Sequence, residues 1–577
     1  MPLFSKVLVA NRGEIAIRVF RTLRELGIGS VAVYSAADRA ARHAAYADEA
    51  YAVGGYLDAE ELAAVAVRAS AEAVHPGYGF LAENAGFARA CEEAGLVWVG
   101  PPADAIELMG TKTIARETMR AAGVPIVPGT TDPVGSAADV VRLGEELGYP
   151  LIVKAVAGGG GKGMKLVHSA EEAERAFESA GREGQAFFAN AEVYVERYLV
   201  DPRHVEVQVL ADGHGNVVHL GERDCTIQRR HQKLVEETPS PAVDDELRAR
   251  IGGIAVDAAR AAGYRSAGTI EGLLTAEGDY YFMEMNTRIQ VEHTVTEAVT
   301  GIDLVREQLR IAAGEPLSVT QEEIRFSGHA IECRINAEDV AAGFMPAPGT
   351  ITVYREPSGP GVRVDSGVAA GSEISPLFDP MIAKLIVHDV DRESARRRML
   401  RALDEFELGG VKTLLGFHRA LLRHPCFVEG GTCHGLVESD ELAAEAAVLE
   451  RAAVGEVATP NGRVRERVTQ VEVDGRRFDV KVLDPEPPWV ELAARRAERR
   501  RTARGAADEE VVSPMQGTVI AVKVAVGDEV RAGQVVCVVE AMKMENEIVA
   551  HRDGVVSALG VVAGQPVRNG DLICVVG

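Results

Sequence analysis

An internal repeat in the last 61 residues limits the possible folds more than any other feature of this sequence. When residues 517–540 are shifted by 37 positions onto residues 554–577, eleven of the 24 aligned positions are identical. Each half is rich in valine and punctuated by glycine, as short strands joined by tight turns are. The repeat therefore predicts a small all-β barrel with internal two-fold symmetry. It aligns Gly517 with Gly554, Gly527 with Gly564, Gly533 with Gly570, and Cys537 with Cys574.

The connection between the two halves carries the segment Glu540-Ala-Met-Lys-Met-Glu545. A lone exposed lysine is most often a solubilising charge, but Lys543 lies at the hinge of a repeat and between two methionines. The segment resembles the biotin carrier domain, whose attachment lysine lies in such an Ala-Met-Lys-Met tetrapeptide. The resemblance implies covalent biotin on Lys543, with a biotin protein ligase as partner. Lipoyl carriers share the barrel but usually lack the methionines, so biotin is favoured over lipoate.

Length and composition indicate a protein of several globular domains. Its 577 residues are too many for one hydrophobic core, so we expect three or four domains. No apolar run is long enough to cross a bilayer, and residues 1–10 lack the pattern of a secretory signal. We therefore expect a cytoplasmic protein without a membrane partner. A net charge of -24 argues against a nucleic-acid partner.

The seven cysteines form no CxxC pair, and their odd number excludes a complete set of intramolecular disulfides. In a cytoplasmic protein such cysteines remain reduced. We therefore expect free, mostly buried thiols at Cys91, Cys225, Cys333, Cys426, Cys433, Cys537 and Cys574.

The N-terminal third alternates strand-like and helical patterns. Residues 6–10 and 31–34 form mainly apolar, strand-like runs, and a helical pattern covers about residues 14–26 between them. This order predicts parallel βαβ units. The segment has no GxGxxG, so little supports a dehydrogenase.

A glycine-rich segment lies between two further predicted strands, residues 150–155 and 164–168. Residues 157–163 read Ala-Gly-Gly-Gly-Gly-Lys-Gly. Glycines let backbone amides approach phosphate oxygens, and Lys154 and Lys162 add positive charge. The loop is not a Walker A motif, because position 156 is valine and Gly163 stands where Ser or Thr binds magnesium. By itself it fits a glycine-rich surface hairpin as well as a nucleotide-binding loop.

Residues 268–275 and 280–286 predict two strands of a hairpin. If the turn centres between Glu277 and Gly278, Glu271 lies directly opposite Glu284. Cross-strand partners have Cβ atoms only ~5 Å apart, so the two carboxylates repel each other unless a positive charge lies between them. Magnesium accepts such oxygen ligands together with water and nucleotide phosphates. A solvent-exposed pair at a sheet edge is the alternative, and apolar neighbours on both strands weaken it.

Polar residues continue at every second position after this hairpin. Asn286, Arg288, Gln290 and Glu292 extend the series begun by Glu284, while apolar or small residues take the other positions. If the strand continues, strand geometry places these five side chains on one surface. An ordinary half-exposed strand also alternates, but a guanidinium flanked by amides and acids suits a small anion beside a metal. The segment Gln228-Arg-Arg-His-Gln-Lys233 supplies further donors.

Several segments together resemble biotin carboxylase, an ATP-grasp enzyme. They are His75-Pro-Gly-Tyr-Gly-Phe80, residues 158–163, Arg223-Asp-Cys through Lys233, Glu284 through His293, and Ile331-Glu-Cys-Arg through Asp339. The resemblance covers residues 1 to about 445. Two positions depart from the family pattern: Gly272 replaces the usual phenylalanine and Thr294 replaces the usual proline.

The resemblance implies a role for each matching residue. Glu292 is the base that deprotonates bicarbonate, and Arg334 stabilises the biotin enolate. Bicarbonate is positioned by Lys233, Arg288, Gln290 and Val291. Mg²⁺ or Mn²⁺ is held by Glu271, Glu284 and Asn286. ATP is contacted by Lys112, Lys154, Gly160, Gly161, Gly163, Glu196, His204, Gln228 and His231.

The implied fold is of the α/β and α+β classes: an ATP-grasp biotin carboxylase with an N-terminal βαβ domain and a glycine-rich lid, followed by an all-β biotinyl domain, a flattened barrel. We expect an N-terminal domain over residues 1–112 and a lid region over 113–203. The ATP-grasp core and the C-terminal carboxylase domain cover 204–445. A linker with a possible β docking hairpin covers 446–510, and the biotinyl domain covers 511–577.

Two other classes of protein explain only part of the sequence. An ATP-grasp ligase that joins a carboxylate to an amine accounts for the glycine loop and the glutamate pair, but not for the C-terminal repeat. A non-catalytic carrier accounts for the repeat, but not for the polar series. The linker is too short for a carboxyltransferase, so we expect an oligomeric complex with a separate carboxyltransferase β subunit. Acetyl-CoA, propionyl-CoA, longer acyl-CoAs, 3-methylcrotonyl-CoA and pyruvate all remain possible acceptors.

Overall fold

The computed structural model describes residues 3–156, 163–188, 190–453, 465–473, 476–484, 510–541 and 544–577. The chain forms two compact units. The first comprises Met1–Gly343, Gly349–Ile374 and Met381–Ala447, and the second comprises Phe344–Pro348, Ser375–Pro380 and Val448–Gly577.

The first unit begins with a parallel five-stranded sheet. Its elements are β1 (Lys6–Val9), α1 (Gly13–Glu25), β2 (Gly29–Tyr34), α2 (Arg42–Tyr46), β3 (Glu49–Ala52), α3 (Ala59–Arg68), β4 (Ala73–His75), α4 (Ala85–Glu93), β5 (Val97–Trp98), α5 (Ala103–Gly110) and α6 (Lys112–Ala121). The strand order is β3-β2-β1-β4-β5. Val7, Leu8 and Val9 are all buried, as expected of a parallel strand covered on both faces. The predicted βαβ arrangement is therefore confirmed.

A three-stranded antiparallel sheet follows in the chain. Its elements are α7 (Ala137–Leu147), β6 (Leu151–Ala155), β7 (Met164–Val167), α8 (Ala173–Phe188) and β8 (Val193–Arg197). The strand order is β7-β6-β8. Both strands predicted beside the glycine-rich segment are confirmed, and residues 157–162 of that segment lie outside the described residues.

A large antiparallel sheet carries most of the predicted site residues. The elements here are β9 (Arg203–Ala211), β10 (Val217–Arg229), β11 (Gln232–Thr238), α9 (Asp245–Ala261), β12 (Ser266–Leu274), β13 (Tyr280–Asn286), α10 (His293–Thr300), α11 (Leu304–Ala312) and β14 (His329–Asn336). The strand order is β13-β12-β9-β10-β11-β14. Valines alternate along β9 and pack into the core beneath the sheet, so the polar residues between them share the other face.

Short strands and helices complete this part of the chain. They are β15 (Glu338–Asp339), β16 (Met345–Pro346), β17 (Gly349–Thr350), β18 (Val353–Arg355), β19 (Val362–Ser366), β20 (Glu373–Ile374), β21 (Met381–Asp389), α12 (Arg392–Glu405), β22 (Glu407–Gly409), α13 (Leu415–Arg423), α14 (Pro425–Val428) and α15 (Asp440–Ala453). Strand β21 pairs with β14, and β19 pairs with β21, which extends the large sheet to eight strands.

The cysteines of the first unit are mostly free, with one exception. Cys426 and Cys433 form a disulfide. The expectation of seven free thiols is therefore wrong for this pair, because folding brings together two cysteines without a CxxC spacing. The other five cysteines of the chain are free and buried, as expected.

The C-terminal repeat folds into two four-stranded sheets. The elements of this region are β23 (Arg465–Val473), β24 (Arg476–Asp484), β25 (Glu510–Val512), β26 (Gly517–Val522), β27 (Glu529–Val530), β28 (Val535–Ala541), β29 (Met544–Val549), β30 (Gly554–Leu559), β31 (Pro566–Val567) and β32 (Leu572–Val576). The sheets are ordered β25-β32-β30-β27 and β29-β28-β26-β31. The 37-residue shift carries β26 onto β30, β27 onto β31 and β28 onto β32, so the predicted two-fold barrel is confirmed. Cys537 and Cys574 both lie in its apolar core.

The sequence predicts a hairpin in the segment before the barrel. Strands β23 and β24 pair as an antiparallel hairpin, so this prediction is confirmed. The arginine-rich residues 495–504 lie outside the described residues.

None of the helices in the described part of the chain has the length and apolar character that a membrane span requires.

Candidate active site

The paired glutamates lie where the hairpin pattern predicts them. Glu271 on β12 pairs with Glu284 on β13, and Asn286 pairs with Thr269 two positions away. Nearer the turn the register shifts by one residue, because a bulge follows Glu271. The two carboxylates and the Asn286 amide therefore offer oxygen donors side by side.

Lys233 on β11 is the positive charge at the centre of the site. Its Nζ donates to Glu206 Oε2 at 2.5 Å, Glu271 Oε1 at 2.8 Å and Glu292 Oε1 at 2.7 Å. Burial lowers the pKa of Lys233, but the three carboxylates outweigh burial and hold that pKa well above its ordinary value. Lys233 is therefore a fixed cation within a cluster of acids.

Glu292 is fully buried, and both of its oxygens are engaged. Oε1 accepts from Lys233, and Oε2 accepts from Arg334 Nη2 at 2.9 Å. Burial raises the pKa of Glu292, but the charges of Lys233, Arg334 and Arg223 together hold it below the ordinary glutamate value. The side chain is therefore a carboxylate at neutral pH. Arg334 is itself oriented by a second hydrogen bond, from Nε to Glu236 Oε1 at 2.6 Å.

The polar series after Asn286 is not a strand, so that part of the prediction is wrong. Strand β13 ends at Asn286, and residues 287–292 form an irregular loop and a turn before α10. The polar side chains nevertheless converge. Arg288 donates to Asn286 Oδ1 at 2.9 Å and to Gln290 Oε1 at 3.4 Å, and Gln290 Nε2 donates to Glu271 Oε1 at 3.0 Å.

Contacts from elsewhere in the chain fix this loop. Glu83, in the loop after β4, accepts from the Thr287 backbone N–H at 2.9 Å and from Arg288 Nε at 2.9 Å. The Val291 carbonyl accepts from Lys384 Nζ at 2.8 Å. The loop conformation therefore depends on residues distant in sequence, and alternation cannot reveal it.

The predicted nucleotide-contacting residues form two connected groups. Lys154 on β6 and Arg116 on α6 both form hydrogen-bonded ion pairs with the buried carboxylate of Glu196 on β8. His231 lies in the two-residue turn between β10 and β11, where its φ is 66°. Burial lowers the pKa of His231, and the positive charges of Lys154 and Lys112 lower it further.

His204 and Lys112 connect these groups to the paired glutamates. His204 Nε2 lies 3.1 Å from Glu271 Oε2, and Lys112 Nζ donates to Glu284 Oε2 at 3.3 Å. The oxygen donors of Glu271, Glu284 and Asn286 fit a hard divalent cation such as Mg²⁺. Each carboxylate of the pair also accepts from a lysine, Glu271 from Lys233 and Glu284 from Lys112.

Two predicted residues make contacts within their own neighbourhood, and three others lie outside the described residues. Gln228 Nε2 donates to Cys225 O of its own strand at 2.8 Å. Gly163 has a φ of 74°, and its backbone N–H donates to Glu183. Gly160, Gly161 and Lys543 lie outside the described residues, although Ala541 and Met544, which flank the hinge, are paired across β28 and β29.

The structure explains both departures from the family pattern. A Cβ on Gly272 would meet the Tyr280 ring at 2.3 Å, so this ring fills the space beside the glycine. Thr294, near the start of α10, places its hydroxyl against Glu332 Oε2 in a hydrogen bond. Glu332 is buried two positions before Arg334 on the same strand, so Thr294 adds a donor that proline lacks.

Sequence reasoning missed Glu206, Arg223 and Glu83. Arg223 is fully buried and donates to Glu206 Oε1 at 2.6 Å, which orients that carboxylate towards Lys233. One signal was available: His204, Glu206 and Gln208 alternate with valines on β9. Glu83 has no comparable signal, because its partners lie more than 200 residues away.

Four families match consecutive parts of this chain. Residues 3–106 match "Biotin carboxylase, N-terminal domain", and residues 111–320 match "Carbamoyl-phosphate synthase L chain, ATP binding domain". Residues 332–439 match "Biotin carboxylase C-terminal domain", and residues 509–576 match "Biotin-requiring enzyme".

Curated relatives and solved structures agree with these matches. A pyruvate carboxylase subunit of Methanothermobacter thermautotrophicus is 54% identical over 74% of this chain and 88% of its own length. The biotin-dependent acyl-coenzyme A carboxylase alpha3 subunit of Mycobacterium leprae is 46% identical over 94% of this chain and 93% of its own. The biotin carboxylase domain of the Hydrogenobacter thermophilus 2-oxoglutarate carboxylase, solved as a dimer with MgADP, ADP and bicarbonate, is 49% identical. It covers 76% of this chain and 99% of its own, with a TM-score of 0.73. The chain therefore belongs to the biotin carboxylases, ATP-dependent ligases, in the form that carries a biotinyl domain on the same polypeptide.

Proposed function

We propose that this chain is the α subunit of an acyl-CoA carboxylase: it carboxylates biotin on its own Lys543 with bicarbonate and ATP, and a separate carboxyltransferase β subunit passes the carboxyl group to acyl-CoA. The observation that carries the proposal is the buried Glu292 carboxylate, held by Lys233 and Arg334 beside Arg288 and Gln290. This arrangement provides a base and an anion site within one buried cluster.

Bicarbonate binding prepares Glu292 to act as a base. Its pKa is low because Lys233 and Arg334 donate to it. A bicarbonate ion that engages Lys233 and Arg288 takes over part of this positive charge, so the pKa of Glu292 rises towards the range in which a base accepts a proton. Glu292 then removes the bicarbonate proton, and the oxygen attacks the γ-phosphate of ATP to give carboxyphosphate and ADP.

The remaining roles are assigned in the same proposal. Lys112, Lys154 and His231 offset phosphate charge, and Glu196 positions Lys154. Glu271, Glu284 and Asn286 hold Mg²⁺, which supplies charge neutralisation at the phosphates when bound. Arg334, fixed by Glu236, presents its guanidinium where the ureido group of biotin is carboxylated. Gly160, Gly161, Gly163 and Gln228 complete the nucleotide contacts.

The match over nearly the whole Mycobacterium leprae subunit supports an acyl-CoA acceptor. The same proposal includes a cytoplasmic location, an oligomeric state and a biotin protein ligase that attaches the biotin. It also includes the division of the chain into residues 1–112, 113–203, 204–445, 446–510 and 511–577. The pyruvate carboxylase subunit of Methanothermobacter thermautotrophicus makes pyruvate the second candidate acceptor.

Replacing either member of the glutamate pair tests the nucleotide and metal assignment. Glu271→Gln or Glu284→Gln should remove most bicarbonate-dependent ATP cleavage, because a neutral amide is a poorer ligand for a hard cation. Glu307→Gln is the matched control, since Glu307 is also a buried carboxylate in an ion pair, with Arg310. Full ATP cleavage by either site variant at limiting magnesium contradicts the assignment.

Product analysis tests the division of labour. The purified chain should carboxylate free biotin, but it should carboxylate an acyl-CoA only once a carboxyltransferase subunit is added. A panel of acyl-CoAs and pyruvate then identifies the acceptor. Malonyl-CoA or methylmalonyl-CoA made by the chain alone overturns the proposal.

A further inference from the structure

Lys384 is a fully buried lysine to which neither the residue patterns nor the proposed chemistry gives a role. It lies on β21, where it pairs with Arg334 of β14. Its Nζ donates to the Val291 carbonyl at 2.8 Å and lies 3.4 Å from Glu14 Oε2 of α1. The same ammonium is 5.9 Å from the centre of the Tyr78 ring. One cation therefore connects three distant parts of the chain.

The hydrogen bond to Val291 fixes more than one atom. The carbonyl of Val291 and the backbone N–H of Glu292 belong to one planar peptide group, so a restrained oxygen restrains the plane that leads to the Glu292 Cα. The neighbouring peptide is fixed as well, because Gln290 O accepts from His293 Nδ1 at 2.7 Å. The direction in which the Glu292 side chain leaves the backbone is thereby set.

Burial makes this contact costly to lose. A fully buried ammonium is stable only when its charge is paired and hydrogen-bonded. Asp365 of β19, the cross-strand partner of Lys384, has a lowered pKa and supplies the opposite charge, and the Glu14 carboxyl lies beside the ammonium as well. A hydrogen bond from a charged donor contributes about twice as much as a neutral one. Packing of β21 does not require a buried lysine, because its apolar residues Leu385, Ile386 and Val387 are already buried.

We propose that Lys384 is a positioning residue for the carboxylation of biotin: it holds the Val291–Glu292 peptide so that the Glu292 carboxylate faces Lys233 and Arg334. Lys384 touches no substrate in this role. The inference rests on the proposed function of Glu292, and it assigns to the C-terminal part of the carboxylase the task of aligning the base.

The test uses the full-length chain with Lys384→Met, which keeps the length of the side chain and removes its charge. Bicarbonate-dependent ATP cleavage should fall about tenfold or more, because the contact is a charge-assisted hydrogen bond to the loop. The KM for ATP should stay within about twofold, since Lys154 and Glu196 are untouched. Hydrogen exchange in a peptide covering residues 288–293 should become faster, because its backbone loses a restraint.

Two further variants make the result decisive. Arg419→Met is the matched control: Arg419 is another buried cation that donates to a backbone carbonyl, that of Leu403, and to Asp404 at 2.9 Å. It should lower stability but change neither the loop exchange nor the rate of bicarbonate-dependent ATP cleavage. The double variant Glu14→Gln/Lys384→Met removes the buried carboxylate that the single variant leaves behind, so it replaces the single variant if that fails to fold.

The outcomes separate this inference from the proposed function. Unchanged exchange in residues 288–293 together with unchanged bicarbonate-dependent cleavage in a folded Lys384 variant overturns the positioning role. Wild-type protein without bicarbonate-dependent ATP cleavage contradicts the proposed function, whereas the exchange measurement still decides whether Lys384 fixes the loop.

Discussion

The carrier barrel and the carboxylase site are stabilised by opposite kinds of interaction. The barrel core consists mainly of valines from two copies of one short unit, 37 residues apart. The carboxylase site is a cluster of buried charges, in which Lys233 joins Glu206, Glu271 and Glu292 from three other segments. Apolar packing tolerates exchange of one residue for another of similar volume, whereas loss of a partner from a buried ion cluster changes the charge balance of the residues that remain.

The first prediction isolates the carrier function. Lys543→Arg should abolish streptavidin labelling of the chain, because a guanidinium keeps the charge but does not form the biotin amide. Carboxylation of free biotin should persist, since the carboxylase residues are unchanged. Lys523→Arg, on the same domain, is the control that should remain fully labelled. Labelling of the Lys543 variant contradicts the attachment site.

The second prediction removes the negative charge of Glu292, the proposed base. Glu292→Gln should reduce bicarbonate-dependent ATP cleavage at least ~100-fold, the usual contribution of a general base. Steady-state rates with and without bicarbonate measure it. The fold should survive, because Lys233 retains Glu206 and Glu271, and Arg334 retains Glu236. Activity within a factor of two of wild type excludes Glu292 as the base.

The third prediction tests the symmetry of the barrel. A Cβ on Gly517 would meet Glu540 O at 2.4 Å, and a Cβ on Gly554 would meet Gly577 O at 2.5 Å. Gly517→Ala should cost about 2 kcal/mol, a typical overpacking penalty. Gly554→Ala should cost a similar amount, because Gly577 O is held in place by the backbone N–H of Val555 at 3.0 Å. Thermal unfolding measures both, with Ser557→Ala on the exposed face as control. A much smaller penalty for one of the two variants contradicts the equivalence of the two halves.

The fourth prediction concerns pH, because the carboxylase unit buries carboxyl groups whose pKa values rise on folding. Burial raises the pKa of Glu236 to about 8 and those of Glu332 and Glu14 to about 7. Buried histidines have the opposite effect on the free energy of unfolding, which they raise as the pH rises towards about 6.5. The reason is that burial lowers the pKa of His75 and of His418 to about 4.

Between about pH 6.5 and 8 the three glutamates determine whether stability rises or falls with pH. There the folded state binds more protons than the unfolded state, so its free energy of unfolding falls as the pH rises, by roughly 1 kcal/mol per pH unit. Thermal unfolding across this range should show the decline, and Glu332→Gln should flatten it. A wild-type unit that gains stability from pH 6.5 to 8 contradicts the prediction.

The fifth prediction has the smallest expected effect. Thr294→Val removes the hydroxyl that donates to Glu332 and should cost about 1 kcal/mol of the free energy of unfolding. It should also raise the pKa of Glu332, so the pH dependence of biotin carboxylation should shift upwards. Thr294→Ser keeps the hydroxyl and should behave as wild type. If Val and Ser variants share one pH profile, the hydrogen bond has no role in the site.

Local sequence patterns determined a large part of this protein. The repeat determined the barrel, and the alternation on β12 and β13 determined the pairing of Glu271 with Glu284, because both depend on residues close together in the chain. Glycine and valine patterns act over a few residues, so their consequences can be read without a fold.

Only the tertiary structure decided how the base is held. The alternation of Asn286, Arg288 and Gln290 imitates a strand, but contacts from Glu83 and Lys384 impose a loop. The disulfide between Cys426 and Cys433 likewise depends on how their loop folds. The physical reason is the same in each case. The free energy of a buried charge or thiol depends on partners that folding brings from elsewhere in the chain, and no local pattern specifies those partners.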